Sequence, residues 1–208
     1  MTTEAVNLPI IDLSSSDSIS SAASIRQACI ECGFFYLVNH GVEEELFAEV
    51  FDQSSNFFSL PLEDKLKLDR KHHSGHSGHS GYTALFSENL DFASSSKGDL
   101  KESYYVGNLY DPTQSHLNKW PLEDILPSLR PTMESYYRKV LSAGKRSTLH
   151  RVMPAGRERY SVAFFMDPNE DCVVECLESC CSEESPPRFP PVRSGDYLEE
   201  RFRLTNAI

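Results

Sequence analysis

The sequence predicts an α+β protein, and three observations carry that class. Apolar residues recur at helical period in the stretches from Ile19 to Cys32, Leu46 to Phe58 and Met133 to Leu141. Short β-rich runs, among them Phe34-Phe35-Tyr36-Leu37-Val38, stop at turn residues such as Asn39-His40-Gly41. Late in the chain, Arg159 to Phe165 alternates, with Arg159, Ser161, Ala163 and Phe165 on one face and Tyr160, Val162 and Phe164 on the other.

The elements follow in order. Leu8-Pro9-Ile10-Ile11-Asp12-Leu13 reads as a short buried strand, and the polar stretch Ser14 to Ser18 offers a cap for the next helix. That helix keeps Ile25, Ala28, Cys29 and Cys32 in register and ends at Gly33. After the Phe34–Val38 run, Leu46, Phe47, Val50, Phe51, Phe57 and Phe58 form the wide apolar stripe of a second helix closed by Leu60-Pro61. Glu63 to Lys67 begins a further charged helical turn. Order resumes at Gly81-Tyr82-Thr83, Lys101 to Gly107 reads as a strand, and Trp120 anchors the loop Asn118-Lys119-Trp120-Pro121. Pro131 opens a helix through Met133, Tyr136, Tyr137, Val140 and Leu141, after which the pattern turns abruptly to strand at Ser147. The tail, with Pro186, Pro187, Pro190 and Pro191, reads as loop before a short charged end.

Composition narrows the function classes. With 208 residues, 39% hydrophobic and 25% charged, the chain has the balance of a globular protein able to bury a core. A net charge of −11 argues against nucleic acid or an anionic membrane surface as a partner. No apolar run approaches the roughly 20 residues that span a bilayer, and the start lacks the pattern of a secretory signal, so a cytoplasmic location is expected. A disulfide framework is therefore not expected of the six cysteines. Cys29-Ile30-Glu31-Cys32 is read as buried thiols closing a helix in preference to a redox or metal pair. Cys172, Cys176 and Cys180 share one helical face or sit in a loop. His72, His73, His76 and His79, interleaved with Ser and Gly, read as a solvated loop with adventitious transition-metal affinity.

A set of ordered landmarks then resembles a known family. Pro9-Ile10-Ile11-Asp12-Leu13 comes first, then Cys32 to Val42 through Asn39-His40-Gly41, then Phe57-Phe58-Ser59-Leu60-Pro61 with Lys65. Gly81-Tyr82, Lys101-Glu102-Ser103-Tyr104-Tyr105 and Asn118-Lys119-Trp120-Pro121 follow, and the series resumes at Arg146 to Phe165 and runs to Phe202-Arg203. Together they resemble the plant-type 2-oxoglutarate and Fe(II)-dependent dioxygenases, a group that includes flavanone hydroxylase-like and isopenicillin N synthase-like enzymes. The resemblance implies amino-terminal helices and strands packed on a double-stranded β-helix, or jelly roll. It divides the chain into an amino-terminal dioxygenase region over 1–120, a helix leading into the barrel over 121–145, and a jelly-roll remnant over 146–208.

It also implies chemistry. The family holds Fe(II) with a His-x-Asp and a distant His, and 2-oxoglutarate chelates the metal while dioxygen takes the remaining position. His150 corresponds to the distal iron ligand, and Arg159 and Ser161 to the donors that grip the far carboxylate of 2-oxoglutarate. Residues two apart on a strand point the same way, so one pocket receives both donors. Tyr82 and Phe165 are candidates for shaping the site of a small organic substrate, and ascorbate is the expected reductant.

One part of the pattern is missing. His40, His72, His73, His76, His79, His116 and His150 are followed at the second position by Val42, Ser74, Gly75, Gly78, Gly81, Asn118 and Val152. None supplies the carboxylate of a His-x-Asp. A jelly roll needs about eight strands, yet after Lys145 the sequence offers two or three. The jelly roll is therefore expected to be incomplete, as though its first ligands and early strands were excised between Lys145 and Arg146. The chain reads as inactive in oxidation: a truncated isoform that binds partners, or, on the histidine tract alone, a metal-binding protein. Asp167 and Asp196 offer oxygen donors, with nothing in the sequence to set their geometry. An incomplete roll also leaves the Tyr160, Val162 and Phe164 face without a facing sheet.

Overall fold

The computed structural model describes residues 7–70, 80–88, 98–112, 115–141 and 157–205. Its contacts divide the chain into two compact units, each assembled from two stretches. One unit comprises Met1–Leu60 and Leu122–Met166; the other comprises Pro61–Pro121 and Asp167–Ile208.

In the first unit, β1 (Ile10–Asp12) and β2 (Tyr36–Val38) pair in parallel, with Ile11 opposite Leu37. A parallel pair needs a crossover, here α1 (Ser18–Glu31). Asp17 caps α1 by accepting the Ser20 N–H at 3.0 Å. The helix ends where Gly33, at φ 73°, donates to the Ala28 carbonyl, a left-handed terminus that glycine adopts without strain. Helix α2 (Glu44–Phe58) packs on α4 (Leu129–Leu141), and Val50, Phe57 and Leu129 are almost completely buried. Thr132 donates its hydroxyl to Glu49 across this pair at 2.7 Å, and Lys139 meets Glu43 at 2.6 Å.

In the second unit, α3 (Leu62–Leu66) precedes the antiparallel pair of β3 (Gly81–Thr83) and β4 (Ser103–Tyr105), where Tyr82 stands opposite Tyr104. Gly81 has φ 125°, and a Cβ there would lie 2.5 Å from the Leu68 carbonyl oxygen, so only glycine fits. A short antiparallel hairpin, β5 (Val173–Val174) with β6 (Val192–Arg193), leads into α5 (Ser194–Thr205). Among the described residues no helix is long and apolar enough to cross a membrane.

The structure corrects several expectations. The Pro-rich stretch is loop as expected, but the charged end after it forms a helix that the sequence pattern did not predict: α5 runs for 12 residues, its first turn tied to the preceding segment by Ser194 N–H to the Cys172 carbonyl and Gly195 N–H to Glu170. Only Ile11 of the first strand is buried, because the other face of the β1–β2 pair is open and leaves Ile10 at 70% and Tyr36 at 60% exposure. Helix α4 begins at Leu129, which places Pro131 inside its first turn, where a missing N–H costs nothing. Cys29 is exposed and Cys32 half-buried, since α1 turns Ala28 toward the core and swings Cys29 about 100° away. Arg159 to Phe165 is extended but belongs to no sheet among the described residues.

Candidate functional site

Packing, not strand pairing, positions the Arg159–Phe165 segment. Tyr160 sets its ring 6.2 Å from Phe58 of α2, and Phe164 sets its ring 5.2 Å from Tyr137 of α4. Burial alternates as the period-two pattern requires: Tyr160, Val162 and Phe164 are half-buried, while Arg159, Ser161, Ala163 and Phe165 are exposed. The apolar face that lacks a facing sheet is thus covered by two helices. Arg159 and Ser161 share the solvent side, a guanidinium and a hydroxyl one pleat apart, donors that suit a carboxylate. Phe165, at 70% exposure, stands on that same side.

Tyr82 lies in the other unit and is 1% exposed. Its hydroxyl donates to Glu102 at 2.5 Å, and Glu102 also holds the buried Lys65 at 2.9 Å. Burial, and then the hydrogen bond to Glu102, push the Tyr82 hydroxyl far above the usual tyrosine range, so it stays protonated. A second knot lies in the same unit: Glu88 takes Arg70 at 3.4 Å and Lys101 at 2.7 Å, and the Arg70 guanidinium rests 4.3 Å from the Tyr105 ring centroid. Neither knot was legible in the sequence. Lys65 and Glu102 are 37 positions apart, and no local period links them.

Metal donors do not converge within the described residues. No group of three or more His, Cys, Asp or Glu side chains there is placed to hold a metal ion. His150, His72, His73, His76 and His79 lie outside the described residues. His40 accepts the Val42 N–H on Nδ1 at 3.2 Å, with its ring edge-on to Phe47 at 5.6 Å. It borders an open groove of about 510 Å³ lined also by Leu37, Asn39 and Glu44. His116 is exposed in the 3-10 turn Ser115–Leu117, and Asp196 faces Arg193 at 3.6 Å. The described residues therefore do not fit an iron centre that needs two imidazoles and a carboxylate on one face.

The comparisons bear on this geometry. The family model for the non-haem dioxygenase in morphine synthesis N-terminal region matches residues 8–123. Kihadalactone A synthase LFS from Citrus sinensis is 26% identical over 313 aligned residues, covering 95% of this chain and 92% of that protein. A full-length Neurospora crassa protein, crystallised in complex with alpha-KG, superposes with a TM-score of 0.54 at 27% identity. That match covers 68% of this chain and 45% of the Neurospora crassa one, so the chain spans less than half of that structure. A 2OG-Fe(II) oxygenase family protein from Caulobacter crescentus superposes with a TM-score of 0.67 over 94% of this chain and 98% of that one. At 17% identity it speaks for the fold alone.

Proposed function

This chain belongs to the non-haem dioxygenase family, whose relatives here are 2-oxoglutarate and Fe(II) oxygenases, and from that premise we propose that it is a non-catalytic member. The single observation that carries the proposal is the donor set: none of the seven histidines is followed two positions on by Asp or Glu. His150 is then the lone family-type ligand, and ferrous ion held by one imidazole exchanges freely with water. Arg159 and Ser161 are the residues we assign to the far carboxylate of 2-oxoglutarate. Their exposure on one side of the Tyr160–Phe164 anchor supports that assignment.

Two further observations support an incomplete barrel. The alignment with the Citrus sinensis enzyme runs over 313 positions, although this chain has 208 residues. Among the described residues the strands form three two-stranded sheets, where a jelly roll stacks about eight strands in two layers. By the family resemblance, the acidic ligand and the strands that shape the pocket for a small organic substrate belong to the stretch this sequence lacks between Lys145 and Arg146. Tyr82, buried and bonded to Glu102, and Phe165, exposed, are each separately proposed as substrate neighbours in this chain.

The experiment is succinate formation from 2-oxoglutarate by the full chain, with Fe(II) and ascorbate supplied. No succinate above the protein-free blank is expected. Turnover abolished by His150→Ala would overturn the proposal. Affinity for 2-oxoglutarate, read separately by equilibrium dialysis, is expected to fall about tenfold in Arg159→Ala, the loss of one charge-assisted pair at an exposed site.

A further inference from the structure

Four of the six cysteines fall between positions 172 and 181, Cys172 just before β5 and the other three in the connection from β5 to β6, and all are reduced thiols in the structure. The chain folds there into a 3-10 turn over Glu178–Cys180, closed by the Cys180 N–H donating to the Leu177 carbonyl at 2.8 Å. This turn gathers side chains that are five positions apart. The Cys176 thiol and the Cys181 thiol both point at the Leu177 carbonyl oxygen, at 3.7 and 3.5 Å. Two sulfurs within 3.7 Å of one shared carbonyl oxygen are near enough for side-chain rotation and a small adjustment of the turn to bring them to bonding distance.

We propose that Cys176 and Cys181 form a reversible redox pair, closing to a disulfide when a small neutral peroxide reaches the turn. Cys176 is exposed and Cys181 half-buried, so Cys176 meets the oxidant first. Its thiolate attacks one peroxide oxygen, the O–O bond breaks, and a sulfenic acid and water result. Cys181 sulfur then attacks the Cys176 sulfur, the S–S bond forms, and the S–O bond breaks to release a second water. The two thiols lose two electrons and two protons, and hydrogen peroxide takes up both. The surroundings choose the oxidant class. Glu175, Glu178, Glu183 and Glu184 flank the thiols, and no Lys or Arg occurs between Arg159 and Arg188. Anionic disulfides are repelled from such a segment while hydrogen peroxide is not. Burial and the neighbouring Cys181 and Cys180 sulfurs raise the Cys176 thiol above its usual range, so closure speeds up as pH rises.

The full chain is treated with hydrogen peroxide, alkylated, and cleaved after glutamate. Such cleavage separates Cys176-Leu177-Glu178 from Ser179-Cys180-Cys181-Ser182-Glu183 unless a disulfide joins them. The expected result is loss of two of the six thiols and one joined pair of fragments that separates on reduction. The joined pair should persist in Cys180→Ser and vanish in Cys176→Ser and Cys181→Ser. Fragments that gain oxygen without joining, or a joined pair that survives in Cys181→Ser through Cys180, would overturn the proposal. The Cys180→Ser arm reports that a serine in the turn is tolerated.

Discussion

At the scale of single residues, the most exacting environment is the one around Glu102. It accepts from Tyr82 and pairs with Lys65, whose side chain is 8% exposed. Removing one partner of a buried pair leaves an uncompensated charge, whereas replacing both removes the problem along with the benefit. Glu102→Gln is therefore expected to lower stability by roughly 3 kcal/mol in urea unfolding. The double change Lys65→Met with Glu102→Leu should cost nearer 1 kcal/mol, the loss of the acceptor for Tyr82. Equal losses in the two variants would refute the pairing. Tyr82 and Tyr104 also set a pH limit. Burial holds both hydroxyls above their usual range near 10, with the Glu102 bond adding to it for Tyr82. In the unfolded chain they ionise near 10, so the stability they contribute is complete below that pH and lost as pH rises beyond it. The urea midpoint should hold between about pH 7 and 9, fall above about pH 10, and coincide there with tyrosinate absorbance. The sequence displayed the residue types of this knot without their convergence. Tyr82 stood out beside Gly81, but Glu102 acquires its role only through the β3–β4 register.

At the scale of elements, periodicity was the reliable signal where one face is buried. The stripe of α2 was readable because it includes Val50 and Phe57, which are almost wholly buried, and Phe47, whose ring meets Tyr136 of α4. Phe57→Ala is expected to destabilise the first unit by about 4 kcal/mol, the usual cost of emptying a closed aromatic site. A change below about 1 kcal/mol by denaturant unfolding would mean that the α2–α4 contact is not the core of that unit. Helix α5 was missed for a physical reason. Its residues Ser194–Thr205 are rich in charge and carry a weak apolar stripe, and it is tied to the preceding chain by backbone bonds that sequence does not display. The Arg159–Phe165 segment illustrates a subtler case. Its alternation was correctly visible, yet alternation reports only that one face is covered, and here α2 and α4 do the covering.

At the scale of the whole molecule, family membership rests on landmarks spread through residues 8–123, and these could be read from the sequence in order. The candidate anion grip, Arg159 with Ser161, is a proposal from the resemblance, and both residues lie on the exposed side of an anchored segment. What could not be read was the geometry of the remaining donors, since His150 and the histidines from His72 to His79 lie outside the described residues. Catalytic competence therefore depends on how many protein donors this chain presents to ferrous ion. Anaerobic equilibrium dialysis of the full chain against Fe(II), with and without 2-oxoglutarate, tests that most directly. No stoichiometric iron dependent on His150 is expected, and any weak metal uptake should survive His150→Ala and disappear when His72, His73, His76 and His79 are replaced together. One tightly held iron per chain, lost in His150→Ala and retained when those four are replaced, would contradict that expectation.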